Sequence, residues 1–218
     1  MTETVARASS PRGELVLRRR EDGHLELRAN GVFVMDTLEH TSERGLATRA
    51  LQIAHGPSLR VLVGGLGLGF TLSAVLADAR VTRCTVVEIE PDLVGWLRDG
   101  AVPRGPALLT DPRVDVEVAD VIDVLHAAAT SYDLVLLDVD NGPGYLVHAA
   151  NAALYAPPAL AAAHSALEPG GNLVVWSAAR APELERALRE VFGNAEVQQY
   201  DVPGHGRVGE YFVYSARR

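Results

Sequence analysis

The apolar run Arg60-Val61-Leu62-Val63 leads straight into Gly64-Gly65-Leu66-Gly67-Leu68-Gly69 and then into Phe70-Thr71. Few folds accept four glycines among six positions directly after a strand. Glycine adopts left-handed backbone at little cost and lets a ligand approach the main chain. A helix starting after the loop aims its first N–H groups back into it. The segment predicts a strand–turn–helix unit with Gly64, Gly65, Gly67 and Gly69 as candidate ligand contacts. A plain tight turn is the competing reading, so the flanking pattern decides between them.

From residue 59 onward, apolar strand runs alternate with helical segments. The strand runs are 59–63, 83–89, 113–118, 132–138 and 171–177, and the helical segments are 69–78, 91–98, 120–129, 151–167 and 182–192. Strands that lack polar alternation and are separated by helices predict a parallel sheet covered on both faces. The runs 195–200 and 209–214 have only a Gly/Pro-rich turn between them, which predicts an antiparallel hairpin. The expected fold class is α/β: a Rossmann-like, seven-stranded class I methyltransferase sheet, mostly parallel, with a C-terminal antiparallel hairpin. Ahead of it, the runs 14–18, 24–28 and 31–35 are separated by the turn dipeptides Asp22-Gly23 and Asn30-Gly31. The expected organisation is a disordered tail over 1–12, a small antiparallel β meander over 13–40, and a Rossmann-like nucleoside-binding catalytic domain over 41–218. Thr41-Ser42-Glu43 offers an N-cap for a helix that Gly56-Pro57 stops.

Acids recur where strands end. Glu88 closes the second strand, about twenty residues past the glycines, where ribose hydroxyls are met in such folds. Glu90 reads as a cap of the helix that follows. Asp120, followed by Val121, closes the third strand and suits an adenine amino group or, equally, an N-cap. The fourth strand ends in Asp138-Val139-Asp140-Asn141-Gly142-Pro143. Asp138 and Asp140 there are the catalytic candidates, positioned to orient and deprotonate an amine nucleophile. Asn141, Tyr145 and Trp176 are candidate substrate contacts, the two aromatics offering a face for a cation.

The net charge of −8, with all twenty basic residues Arg, argues against nucleic-acid and anionic-membrane partners. It favours a small-molecule substrate. The single cysteine, Cys84, lies in an apolar strand run and reads as core. The seven histidines show no metal-ligand spacing, so no metal is expected. No apolar run is long enough for a membrane span, and the first residues lack a signal-peptide core, so the expected location is cytoplasmic.

The motifs together resemble the spermidine synthase-like (polyamine aminopropyltransferase) family of the class I S-adenosylmethionine-dependent methyltransferase superfamily. The matching pieces are the glycine loop, Val87-Glu88-Ile89-Glu90, Asp111-Pro112-Arg113-Val114, Val118-Ala119-Asp120, Ala153-Leu154-Tyr155 and Leu167-Glu168-Pro169-Gly170-Gly171. The resemblance implies a transferase that alkylates a small-molecule amine with S-adenosylmethionine or its decarboxylated form as co-substrate. It implies ribose at Glu88, adenine at Asp120, a base-side carboxylate at Asp138, and a homodimer through the N-terminal β region. Gly67 stands where the family carries an Asp that attracts an aminopropyl ammonium, which leaves ordinary S-adenosylmethionine as plausible. Val34 and Glu43 stand where the family has a substrate-side Gln and Tyr. An acceptor other than that of spermidine formation is therefore expected. A small-molecule methyltransferase and a non-catalytic nucleoside-binding homologue are the alternatives.

Overall fold

The computed structural model describes residues 2–144, 146, 148–202 and 209–218. Two sheets form it. The first is antiparallel, in order β1 (Glu3–Ser10), β2 (Gly13–Arg19), β3 (Leu25–Ala29), β4 (Val32–Asp36). Residues 3–10, expected as part of a disordered tail, instead pair with β2 from Glu3↔Arg19 to Ser10↔Gly13. Val5 and Ala6 pack on the core, and pairing satisfies backbone groups that a tail would leave to water. At the β3–β4 turn, Asn30 and Gly31 both have positive φ, 52° and 78°, as a two-residue hairpin requires.

Helix α1 (Thr41–Ile53) follows. His40 takes its N-cap position, and no side chain caps the helix, so the expected Thr41-Ser42 cap does not form. The second sheet has the order β10-β11-β9-β8-β5-β6-β7. Its members are β5 (Leu59–Gly64), β6 (Val81–Glu88), β7 (Val114–Val118), β8 (Tyr132–Leu137), β9 (Leu167–Ser177), β10 (Glu196–Val202) and β11 (Gly209–Arg217). The pairs from β7 to β9 are parallel, and the β10–β11 hairpin joins β9 antiparallel. The segment expected as one helix over 151–167 divides into a 3-10 stretch, Ala149–Tyr155, and α6 (Pro157–Ala166). Ala156 between them is extended at φ −85°, ψ 155°. Pro157 excludes the helical conformation from the residue before it, and proline at N1 suits a fresh helix start.

Strand alternation delivers one core to each face. Val61, Val63, Leu134 and Leu136 join a cluster with Leu46, Phe70 and Leu97, residues of α1, α2 (Phe70–Leu76) and α3 (Pro91–Arg98). Leu62, Val135 and Leu137 join the other, against α5 (Val121–Ala127), α6 and α7 (Pro182–Phe192). The first cluster also contains Leu15, Leu17, Leu25 and Leu27, so the N-terminal sheet packs on that face. Strand order reverses between β5 and β8. Loops leaving the carboxyl ends of these two strands diverge there, and in open α/β sheets a ligand crevice forms at that point.

Candidate active site

A cleft lies at the switch point, lined by the glycine loop, the strand ends and the N-terminal sheet. Its floor is the glycine loop. Gly65 (φ +96°) lies so close to the end of β8 that a Cβ would stand 2.1 Å from the Asp138 carbonyl oxygen. Gly67 (φ +49°) faces Met35, whose sulfur would be 2.6 Å from a Cβ. Both line the cleft; Gly64 and Gly69, expected as ligand contacts, do not. Gly64 is packed against Val121 and Leu137, and Gly69 (φ +83°) is the N-cap residue of α2 against Leu108. The glycine pattern thus serves two purposes: close strand packing at 64 and 69, an open wall at 65 and 67.

Glu88, buried at the end of β6, braces that loop. Its Oε2 accepts from the Leu66 N–H at 3.0 Å and its Oε1 from the Glu90 N–H at 2.9 Å. Burial holds its pKa above the ordinary carboxylate value, and the backbone donors oppose that rise. Asp120 is the N-cap of α5, accepting from the Ile122 N–H at 2.9 Å, and it also lines the cleft beside Val121. Capping occupies one oxygen; a carboxylate keeps further acceptor sites for a ligand donor. Glu90 holds the N-cap position of α3 without capping through its side chain. Instead its Oε1 lies 3.4 Å from the Arg12 Nε.

Asp138 follows β8 and is recessed in the cleft floor. The Thr71 hydroxyl, at the start of α2, donates to its Oδ2 at 2.5 Å. Burial, with the Glu43 charge second, pushes the Asp138 carboxyl up to about 7, and the Thr71 bond pulls the other way. Asp140, the second catalytic candidate, lines the cleft in a left-handed conformation (φ 54°). Its Oδ2 accepts from Asn151 Nδ2 at 2.7 Å, and Asn151 Oδ1 accepts from the Arg12 guanidinium at 3.0 Å. Asp140 is therefore tied to the cleft rim, while Asp138 is the carboxylate on its floor. Asn141 lines the cleft, and its carbonyl accepts from the Ala178 N–H at 3.1 Å, fastening this loop to the end of β9. Trp176 lines the cleft with its indole N–H buried and without a partner among the described residues. Tyr145 lies outside the described residues.

The wall opposite comes from residues that the strand-end reading missed. Arg12, Glu14, Met35 and Glu43 reach the cleft from the N-terminal sheet and α1. Glu43 carried a legible signal. Its spacing from Leu46, Ala47 and Ala50 places it on the buried face of α1, where a charge is costly without a purpose. Arg12 had none, because its place depends on how the first sheet docks.

Among the described residues no group of His, Cys, Asp and Glu is arranged to hold a metal, and no helix is long and apolar enough to cross a membrane.

Strand order defines a class I methyltransferase-like fold with a cleft at its switch point. No family model matches the chain. Polyamine aminopropyltransferase 2 of Pseudomonas aeruginosa is 30% identical over 169 residues, covering 72% of this chain and 46% of that protein. The polyamine aminopropyltransferase of a Synechococcus species is 29% identical over 160 residues, covering 68% and 48%. The chain thus spans about half the length of these two relatives. The crystal structure of spermidine synthase from Thermotoga maritima superposes with a TM-score of 0.81 at 15% identity, over 99% of this chain and 72% of that one. The chain is thus similar in sequence to polyamine aminopropyltransferases and shares its fold with spermidine synthase.

Proposed function

We propose that the protein is a transferase that moves the aminopropyl group of decarboxylated S-adenosylmethionine onto a small amine. One observation carries this reading: the charge of the cleft. Seven carboxylates line it, those of Glu14, Glu43, Glu88, Glu90, Asp120, Asp138 and Asp140. Arg12 is the one arginine among the described lining residues, and it is engaged with Glu90 and Asn151. Such a wall attracts a sulfonium and an ammonium and repels a carboxylate. It supports the decarboxylated donor even though Gly67 brings no acid to the loop.

The residues fit that donor. In this reading Glu88 accepts from the ribose hydroxyls and Asp120 from the adenine amino group. The bound sulfonium supplies an activated carbon and a thioether leaving group. The amine forms its N–C bond as the C–S bond breaks, and the nitrogen gives its proton to Asp138. A carboxyl near 7 is matched to that transfer at neutral pH. Val34 and Glu43 line the cleft where the resembling family has a Gln and a Tyr, and the acceptor is expected to differ from that of spermidine formation.

Calorimetry with three ligands tests the donor. Decarboxylated S-adenosylmethionine and methylthioadenosine are expected to bind, and S-adenosylmethionine to bind about tenfold more weakly than the decarboxylated form or worse. Equal or tighter binding of S-adenosylmethionine would favour methyl transfer and sink the aminopropyl reading.

Thr71→Val removes a donor to the Asp138 carboxylate while keeping shape. The carboxylate loses stabilisation, its pKa rises, and the acid limb of kcat/KM against pH moves upward by roughly one unit. An unmoved limb would show that Asp138 does not set it.

A further inference from the structure

Glu43 enters the cleft from a helix, not from a strand end. It is 8% exposed, and the Ser42 hydroxyl donates to its Oε2 at 2.6 Å. Among the described residues it forms no ion pair. The charged groups that act on it are acidic: Glu39 and Asp36 from the segment before α1, and Asp138 from the end of β8. Asp36 already has Arg20 at 3.0 Å. The Tyr211 hydroxyl of β11 also feels the Glu43 charge and is itself raised by burial. His40, one turn earlier, packs its ring on Phe70 at 4.4 Å between centroids. Across the cleft the loop contributes no charge at Gly67, where the Met35 sulfur fills the space a side chain would need.

Two recessed carboxylates that line one cleft, with no cation paired to either among the described residues, are costly. A ligand cation relieves that cost, and a ligand carboxylate increases it. We propose that Glu43 and Asp138 together seat an alkylammonium group, which makes Glu43 a specificity-determining residue for a ligand that carries a primary ammonium and no carboxylate. The inference rests on the transferase reading above and deepens it. The ammonium belongs either to the aminopropyl arm of the donor or to the acceptor amine. In the free protein burial, with the Glu43 charge second, raises the Asp138 carboxyl to about 7, so it retains much of its proton at pH 6.5. Seating the ammonium expels that proton to the buffer.

The test compares wild type with Glu43→Gln by calorimetry at pH 6.5, in two buffers of different ionisation enthalpy. The ligands are methylthioadenosine, decarboxylated S-adenosylmethionine, and putrescine added to protein already loaded with methylthioadenosine. Methylthioadenosine is expected to bind both proteins within about twofold. At least one ammonium ligand is expected to lose about tenfold or more in the variant. The ligand that loses affinity identifies the source of the ammonium. Proton release on its binding is expected in wild type and is reduced in Glu43→Gln. Should Glu43→Gln fail to fold, Glu43→Asp keeps the charge but withdraws it by one methylene, and the same ratio is read. Unchanged affinity for both ammonium ligands, with methylthioadenosine still bound, overturns the role of Glu43 and leaves the transferase reading intact. A wild type that binds neither nucleoside overturns the transferase reading itself.

Discussion

Asp138→Asn is expected to lower turnover by about 10²–10⁴-fold while methylthioadenosine still binds within about twofold. The amide keeps the size of the carboxylate and still accepts from the Thr71 hydroxyl, so the cleft floor keeps its shape. It cannot take a proton from the attacking amine. Methylthioadenosine carries neither an alkyl ammonium nor a sulfonium, so its affinity reports on the nucleoside part of the site alone. The pH dependence has a definite sign. Asp138 must be ionised to act as a base, and its carboxyl lies near 7. The wild-type kcat/KM is expected to climb with pH and level off above about 7, an acid limb the variant lacks. Stability moves the opposite way. A carboxyl raised in the folded state contributes stability that is fully present below the unfolded value of 3.8 and is lost as pH rises through about 7. Asp138→Asn should therefore melt higher than wild type at pH 8, and the two should converge at pH 4. Turnover preserved in the variant would remove Asp138 from the chemistry.

Gly65→Ala is expected to be strongly damaging for a single added methyl. At φ +96° an L side chain is strained whatever the space, and here the added Cβ meets the Asp138 carbonyl oxygen at 2.1 Å. That oxygen is backbone and cannot swing aside, so either the loop lifts or the end of β8 moves. The expected loss is about 2–4 kcal/mol, a fall in Tm of roughly 5–15 °C for a chain of this size. Either relief distorts a wall of the cleft, the glycine loop or the Asp138 segment, so methylthioadenosine affinity and turnover fall together. Gly23→Ala is the matched control. Its φ of +86° is similarly positive, but no atom lies within 4 Å of the added Cβ. It should cost about 1 kcal/mol and leave binding unchanged. Calorimetric melting of both variants separates backbone strain from the collision. Equal losses would mean that the approach of β5 to β8 is looser than described.

Much of the architecture was legible because its signals are local. Uninterrupted apolar runs such as Leu134–Leu137 mark strands buried on both faces, and their separation by helices implies parallel pairing. The hairpin of β10 and β11 followed from two runs with only a turn between them. β1 was missed because its residues alternate between exposed and half-buried, leaving no apolar run to mark it. The break at Ala156 was missed although Pro157 announced it, because the apolar periodicity continues through the break.

The same division runs through the site. The sequence alone determined where the glycine loop lies, which strand ends carry Glu88, Asp120 and Asp138, and the topology that brings them to one edge. Glycine conformations, strand periods and caps are properties of a few neighbouring residues. Tertiary structure alone decided which glycines face the cleft: 65 and 67 open onto it, while 64 and 69 are consumed by packing against Val121, Leu137 and Leu108. It alone tied Asp140 to Asn151 and Arg12, leaving Asp138 as the carboxylate of the cleft floor. It also brought Glu43 to the electrostatic neighbourhood of Asp138, across 95 positions of chain. The reason is physical. Burial and the mutual field of two carboxylates exist only once the N-terminal sheet and α1 have docked on the strand ends, and no local pattern encodes that docking.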